Sequence, residues 1–65
     1  MTVVKIKEFI GTSEKSWEDA IKNVIEEVKE EGKITGIDVL GLKAAVRDNE
    51  IVEYRANVKV ALIKE

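Results

Sequence analysis

The chain has 65 residues with neither cysteine nor histidine, so disulfides, structural zinc and thiol chemistry are excluded together. A domain this short buries only about 60% of the surface its unfolded form exposes, which leaves oligomerisation as the expected supplement to its stability. The 11 basic and 13 acidic residues give a net charge of −2 and no electrostatic footprint for nucleic acid.

Residues 3–10 (VVKIKEFI) are β-branched and roughly alternating, which predicts a strand. Val4, Ile6 and Ile10 share one of its faces, interrupted by Glu8, while Lys5 and Lys7 share the other. Gly11, Thr12 and Ser13 are expected to end it.

A helix is predicted over 16–31, because Trp17, Ala20, Ile21, Val24, Ile25 and Val28 form an apolar stripe of helical period. Ser16 stands as its N-cap, with Asp19 at the acidic position of a capping box. Glu18 and Asp19 suit the positive end of the helix dipole, and Gly32 supplies the stop. Val24 and Ile25, with Val58 from the last strand, are the expected core.

Two strands, 35–47 and 50–64, follow, joined at the turn formers Asp48 and Asn49. Val52, Tyr54, Ala56, Val58, Val60 and Leu62 alternate with Glu53, Arg55, Asn57 and Lys59. Uninterrupted pairing about the turn sets Ile37 opposite Val60, Asp38 opposite Lys59, Val39 opposite Val58 and Leu40 opposite Asn57. It also sets Leu42 opposite Arg55 and Lys43 opposite Tyr54, on the helix side of the sheet.

The β-α-β-β order implies one α+β domain over 1–65, an antiparallel three-stranded sheet whose last strand lies between the other two. Sixteen helical residues would span about 24 Å, against roughly 50 Å for the last strand. The helix therefore cannot cover the sheet, and the overhang with Leu40 and Leu42 needs cover from other subunits. No apolar run approaches the roughly 20 residues of a membrane span and no signal peptide opens the chain, so a cytoplasmic protein without a membrane partner is expected.

The stretch GTSEKSWEDAI at 11–21 resembles the helix entry of the dodecins, small flavin-binding proteins. The strand before it, the strand–turn–strand after it, and Tyr54 opening a Y-x-x-x-V-x-V pattern extend the resemblance over essentially the whole chain. It implies a hollow homododecamer in which each sheet wraps around its helix, with FMN or riboflavin as the bound small molecule. In flavin-binding dodecins a Trp opening the second strand stacks on the flavin ring, and a Gln after the Tyr of the last strand bonds the ring's polar edge. Gly36 and Arg55 hold those positions here. Gly36 offers no platform, and Arg55, with five donors and no acceptor, cannot copy an amide edge. Lys43 stands where some bacterial dodecins carry a basic residue. The chain is also similar at the two replaced positions to calcium-binding dodecins, which implies Ca2+ as the alternative ligand, and a structural assembly without any ligand is the third reading.

Each candidate has a structural reading beside the functional one. Trp17 belongs to the apolar stripe, so packing at the helix entry is preferred over a relocated flavin platform. Arg55 is expected to face away from the helix beside Leu40 and Leu42, as an inter-subunit ion pair or an anion and ring contact that would favour FMN over riboflavin. Lys43 is expected as a solvated edge lysine, and Gly36 as a relief of crowding between subunits. Asp38 is a cross-strand partner of Lys59, or a metal ligand completed by symmetry-related copies with Asn57 nearby. Glu26, Glu27, Glu30 and Glu31 read as a solvated helix face. Thr12, Ser13 and Ser16 have no base beside them, so loop and capping roles are expected and catalysis is not.

Overall fold

The computed structural model describes residues 3–64. Strand β1 (Val3–Ser13), helix α1 (Trp17–Val28), a 3-10 turn (Lys29–Glu31), β2 (Lys33–Arg47) and β3 (Glu50–Lys64) follow one another. The sheet order is β1-β3-β2, with both pairings antiparallel, and the helix lies across one face.

Local chemistry explains the boundaries. The Ser16 hydroxyl accepts the Asp19 amide at 2.9 Å, capping the helix as expected. The capping box is left open, because the Asp19 carboxylate instead accepts the Ser13 hydroxyl at 2.6 Å. The expected helix over 16–31 is α-helical only to Val28. Its end tightens into a 3-10 turn, where Glu30 and Glu31 sit at the dipole's negative end and Lys29 alone is basic. Asp48 and Asn49, at φ 52° and 64°, form a two-residue loop whose twist matches the flanking strands.

Strand β1 does not stop at Ile10. Gly11, Thr12 and Ser13 continue it, opposite Ala56, Arg55 and Tyr54. Gly11 serves the packing here: a Cβ on it would lie 2.3 Å from the Ala20 carbonyl oxygen and 2.6 Å from Val24 Cγ2. The missing side chain is what lets α1 settle onto the strand.

Strand β2 begins earlier than expected, at Lys33, and its pairing with β3 is interrupted three times. Thr35 and Leu40 on β2, and Val52 on β3, are extra residues without a partner. Ile37, Asp38 and Val39 keep their expected partners. The bulge at Leu40 then moves the pairings from Gly41 to Ala45, until the unpaired Val52 restores the register at Val46: Gly41 lies opposite Asn57, Leu42 opposite Ala56, and Lys43 opposite Arg55. Leu42 is thus on the helix side and Lys43 on the other, the reverse of uninterrupted pairing. An unpaired residue shifts alternation by one, and the added local twist lets a long strand curve around a short helix.

The core is Ala20, Val24 and Val28 from α1 against Ala56, Val58, Val60 and Leu62 from β3, with Phe9, Ile21, Ile34 and Ile37 packed around it. Ile25, expected beside Val24, is only half-buried. The buried line runs through every fourth residue, and Ile25 falls on its flank. Val28→Ala should therefore cost about 2 kcal/mol, Ile25→Ala about 1, and Lys22→Ala under about 0.5. Thermal melts of the three variants at one protein concentration check that ranking. The molecule measures 52 × 18 × 12 Å, whereas twelve helical residues span about 18 Å. The helix packs mainly on β1 and β3. Helix-side positions of β2 therefore stay open, with Val39 49% and Leu42 52% exposed.

Candidate functional site

The strand registers order the sheet face opposite α1 into rows crossing all three strands. Ile6, Ala61 and Gly36 form one row, followed by Glu8, Lys59 and Asp38, then Ile10, Asn57 and Gly41, then Thr12, Arg55 and Lys43. Apolar and charged rows alternate. Val4, Ile6 and Ile10, sharing a face as the sequence predicts, lie on this one and are 54%, 59% and 68% exposed. Exposed apolar residues gathered on one face are the kind of surface that subunit contacts or ligands cover.

Two of the grooves on this face each hold a pair of the candidate residues. The first, about 340 Å³, is lined by Ile10, Thr12, Lys43, Glu53, Arg55 and Asn57. Arg55 Nε donates to Glu53 Oε1 at 2.6 Å, so the guanidinium is held by its near neighbour on the same strand. Leu40 and Leu42 do not flank Arg55 as expected; Lys43 does. The second groove, about 180 Å³, is lined by Ile6, Gly36, Ile37, Asp38, Lys59 and Ala61. A Cβ on Gly36 would meet nothing within 4 Å, so within one chain there is no crowding for it to relieve.

The sequence-predicted site residues thus divide into two pairs. Lys43 and Arg55 come together in the first groove, Gly36 and Asp38 in the second. Along β3 the span from Arg55 to Ala61, the partner of Gly36, is roughly 20 Å. One chain cannot present both pairs to one ring-sized ligand. Asp38 lies opposite Lys59 as expected, yet among the described residues no ion pair joins them. Among the described residues no three acidic side chains gather to hold a metal.

Trp17 packs edge-to-face on Tyr54, ring centroids 4.8 Å apart, which accounts for it as packing at the helix entry. It does something further that its place in the stripe did not reveal. Its Nε1 donates to the Lys43 carbonyl oxygen at 2.9 Å, while Asn23 Nδ2 donates to that of Thr12 at 2.9 Å. The helix thereby reaches a backbone acceptor on each outer strand, at the two ends of the Thr12–Arg55–Lys43 row. At the other end of the sheet Lys7 pairs with Glu31, joining β1 to the last helical turn.

Among the described residues no helix is long and apolar enough to cross a membrane. The sequence profile of the family described as Dodecin matches residues 3–64. No curated protein matches the sequence significantly. Among solved structures, the dodecin of Streptomyces coelicolor superimposes with a TM-score of 0.90 at 17% identity, covering 98% of this chain and 93% of its own. A Trp-to-Phe variant of the Thermus thermophilus dodecin gives a TM-score of 0.90 at 23% identity, covering 100% and 98%. The calcium-chelating immunodominant antigen calcium dodecin of Mycobacterium tuberculosis, which has a calcium-binding site, gives 0.83 at 26% identity, covering 97% and 91%.

Proposed function

Because the chain belongs to the dodecin family, which matches it from residue 3 to residue 64, we propose that it is a homo-oligomeric binding protein that stores a small molecule by burial. The family match carries this reading. Exposed Val4, Ile6 and Ile10 support the assembly, and a hollow dodecamer is the form that the family relationship favours. The roughly 20 Å between the two groups of candidate residues supports a ligand site shared between copies.

The residues present do not reproduce a flavin clamp. Gly36 has no side chain to stack on a ring, and Arg55 offers donors only. Losing one aromatic contact removes about 0.5–1.5 kcal/mol of stacking, and up to about 3 kcal/mol more in apolar burial. Riboflavin is therefore expected to bind two to three orders of magnitude more weakly than where that platform is present, at about 1.4 kcal/mol per tenfold. Protection by burial requires no catalytic group, and this protein is read as a binder and not an enzyme.

Calcium is the second reading, favoured by the 26% identity to a calcium dodecin. Asp38 and Glu8 stand one on each side of Lys59 on this face, and Glu53 beside Arg55 is a further acid there. A calcium ion takes six to eight oxygens, so it would need acids from several copies.

Native mass spectrometry of the purified protein tests the proposal, since it reports subunit number and retained ligand mass together. A twelve-subunit species is expected, with sedimentation at micromolar concentration showing no substantial monomer. A stable monomer would refute the assembly. A calcium-dependent rise in melting temperature, unmatched by flavin, would move the second reading ahead.

A further inference from the structure

Helix α1 is tied to both margins of the sheet at one level. Trp17 Nε1 donates to the Lys43 carbonyl oxygen on β2 and Asn23 Nδ2 to the Thr12 carbonyl oxygen on β1, both at 2.9 Å. The two residues flank buried Ala20 at equal spacing and diverge by about 120° around the helix axis, so each reaches a different outer strand. The tie to β2 stands alone. Apolar packing holds α1 mainly to β1 and β3, and among the described residues no other hydrogen bond or ion pair joins α1 to β2. It falls just beyond the unpaired Leu40, where a bulge bends the strand and adds local twist. Edge-to-face contact with Tyr54 on β3 holds the indole in the orientation that this bond needs.

We propose that Trp17 and Asn23 form a cinch that fixes the curvature of the sheet and, through it, the number of copies at which the assembly closes. Copies of one chain close only if each contact turns the next copy by a set angle; another angle gives a different number or an open array. Curvature sets that angle here. Exposed apolar residues lie on both faces of the sheet, Ile6 and Ile10 behind it and Val39 and Leu42 on the helix side. Bending the sheet therefore reorients one set of contacts against the other. Without its tie, β2 beyond the bulge would relax toward the ordinary twist of a free sheet margin. Both are positioning residues: they act through the outer strands, and neither has to touch a neighbouring copy. The inference rests on the assembly reading above, with further copies of this chain as the partner.

Native mass spectrometry of the double variant Trp17→Phe with Asn23→Asp, at micromolar concentration, tests it. Phe keeps an aromatic ring against Tyr54 and Asp keeps the shape of Asn, while both donors are lost. The double variant is expected to keep its far-ultraviolet circular dichroism. Its share of the native subunit number should fall at least twofold, with the remainder in other numbers. The single Trp17→Phe should shift the distribution in the same direction, and it carries the test if the double variant loses its dichroism. Val28→Ala, a fully buried truncation that touches neither bond, controls for lost stability as such and should hold the native number. An unchanged distribution in the folded variants, or an equal redistribution in Val28→Ala, would overturn the cinch. A native assembly whose number the variants keep refutes this inference alone, whereas a native protein that forms no oligomer refutes the storage assembly and this inference with it.

Discussion

Gly11→Ala is expected to destabilise the protein by about 3 kcal/mol or more, at the upper end of overpacking costs. The added methyl would sit 2.3 Å from the Ala20 carbonyl oxygen and 2.6 Å from a methyl of Val24. Neither obstacle can swing aside. One is helix backbone and the other a core side chain, so α1 must lift from β1 or the strand must bend. Lifting α1 would also stretch the Ser13–Asp19 and Asn23–Thr12 bonds. Gly36→Ala and Gly41→Ala, where a Cβ meets nothing within 4 Å, should stay within about 0.5 kcal/mol. Thermal melts at matched protein concentration make the comparison, because oligomer stability depends on concentration. Equal shifts at the three glycines would show that helix and strand are not held this close.

The double change Gly36→Trp with Arg55→Gln should strengthen riboflavin binding at least tenfold. The new indole supplies the stacking surface that Gly36 lacks, and within one chain its Cβ would meet nothing within 4 Å. The amide restores one acceptor and removes a charge that an uncharged flavin cannot use. Quenching of flavin fluorescence on titration into each protein measures the gain. Nanomolar riboflavin binding by the unaltered protein would contradict the assigned weakness. A double variant that assembles yet gains nothing would show that the shared cavity is closed to the ring, and calcium or assembly alone would then be favoured.

The parts of this fold legible in the sequence are those written in a single period. The α1 stripe, its Ser16 cap, the Asp48–Asn49 turn and the alternation from Tyr54 to Leu62 each carry one unambiguous local signal, and each is in place. The β2 strand was not legible in the same way. Ile37, Val39, Leu40 and Leu42 are apolar on both sides of the chain, so alternation there fits more than one register. The available hint was glycine: Gly36 and Gly41 each follow an unpaired residue, as glycines beside bulges do. The end of β1 was misread for a related reason. Gly11 looked like a terminator when it was a point of close approach, a distinction only the packed helix makes. Arg55 was placed on the correct face because β3 keeps alternation there, while Lys43, beyond the bulge, was not.

The unpaired residue at Leu40 makes β2 behave like a reading frame. Substitutions upstream change one letter at a time, but closing the bulge with Leu40 retained and paired to Asn57 would re-register the strand as far as Ala45. Lys43 would cross to the helix side and Leu42 would take its place beside Arg55. Deleting Leu40, by contrast, would join Val39 to Gly41 in unbroken pairing and leave Lys43 opposite Arg55, so the strand can lose this residue and keep the same chemistry on the same surface.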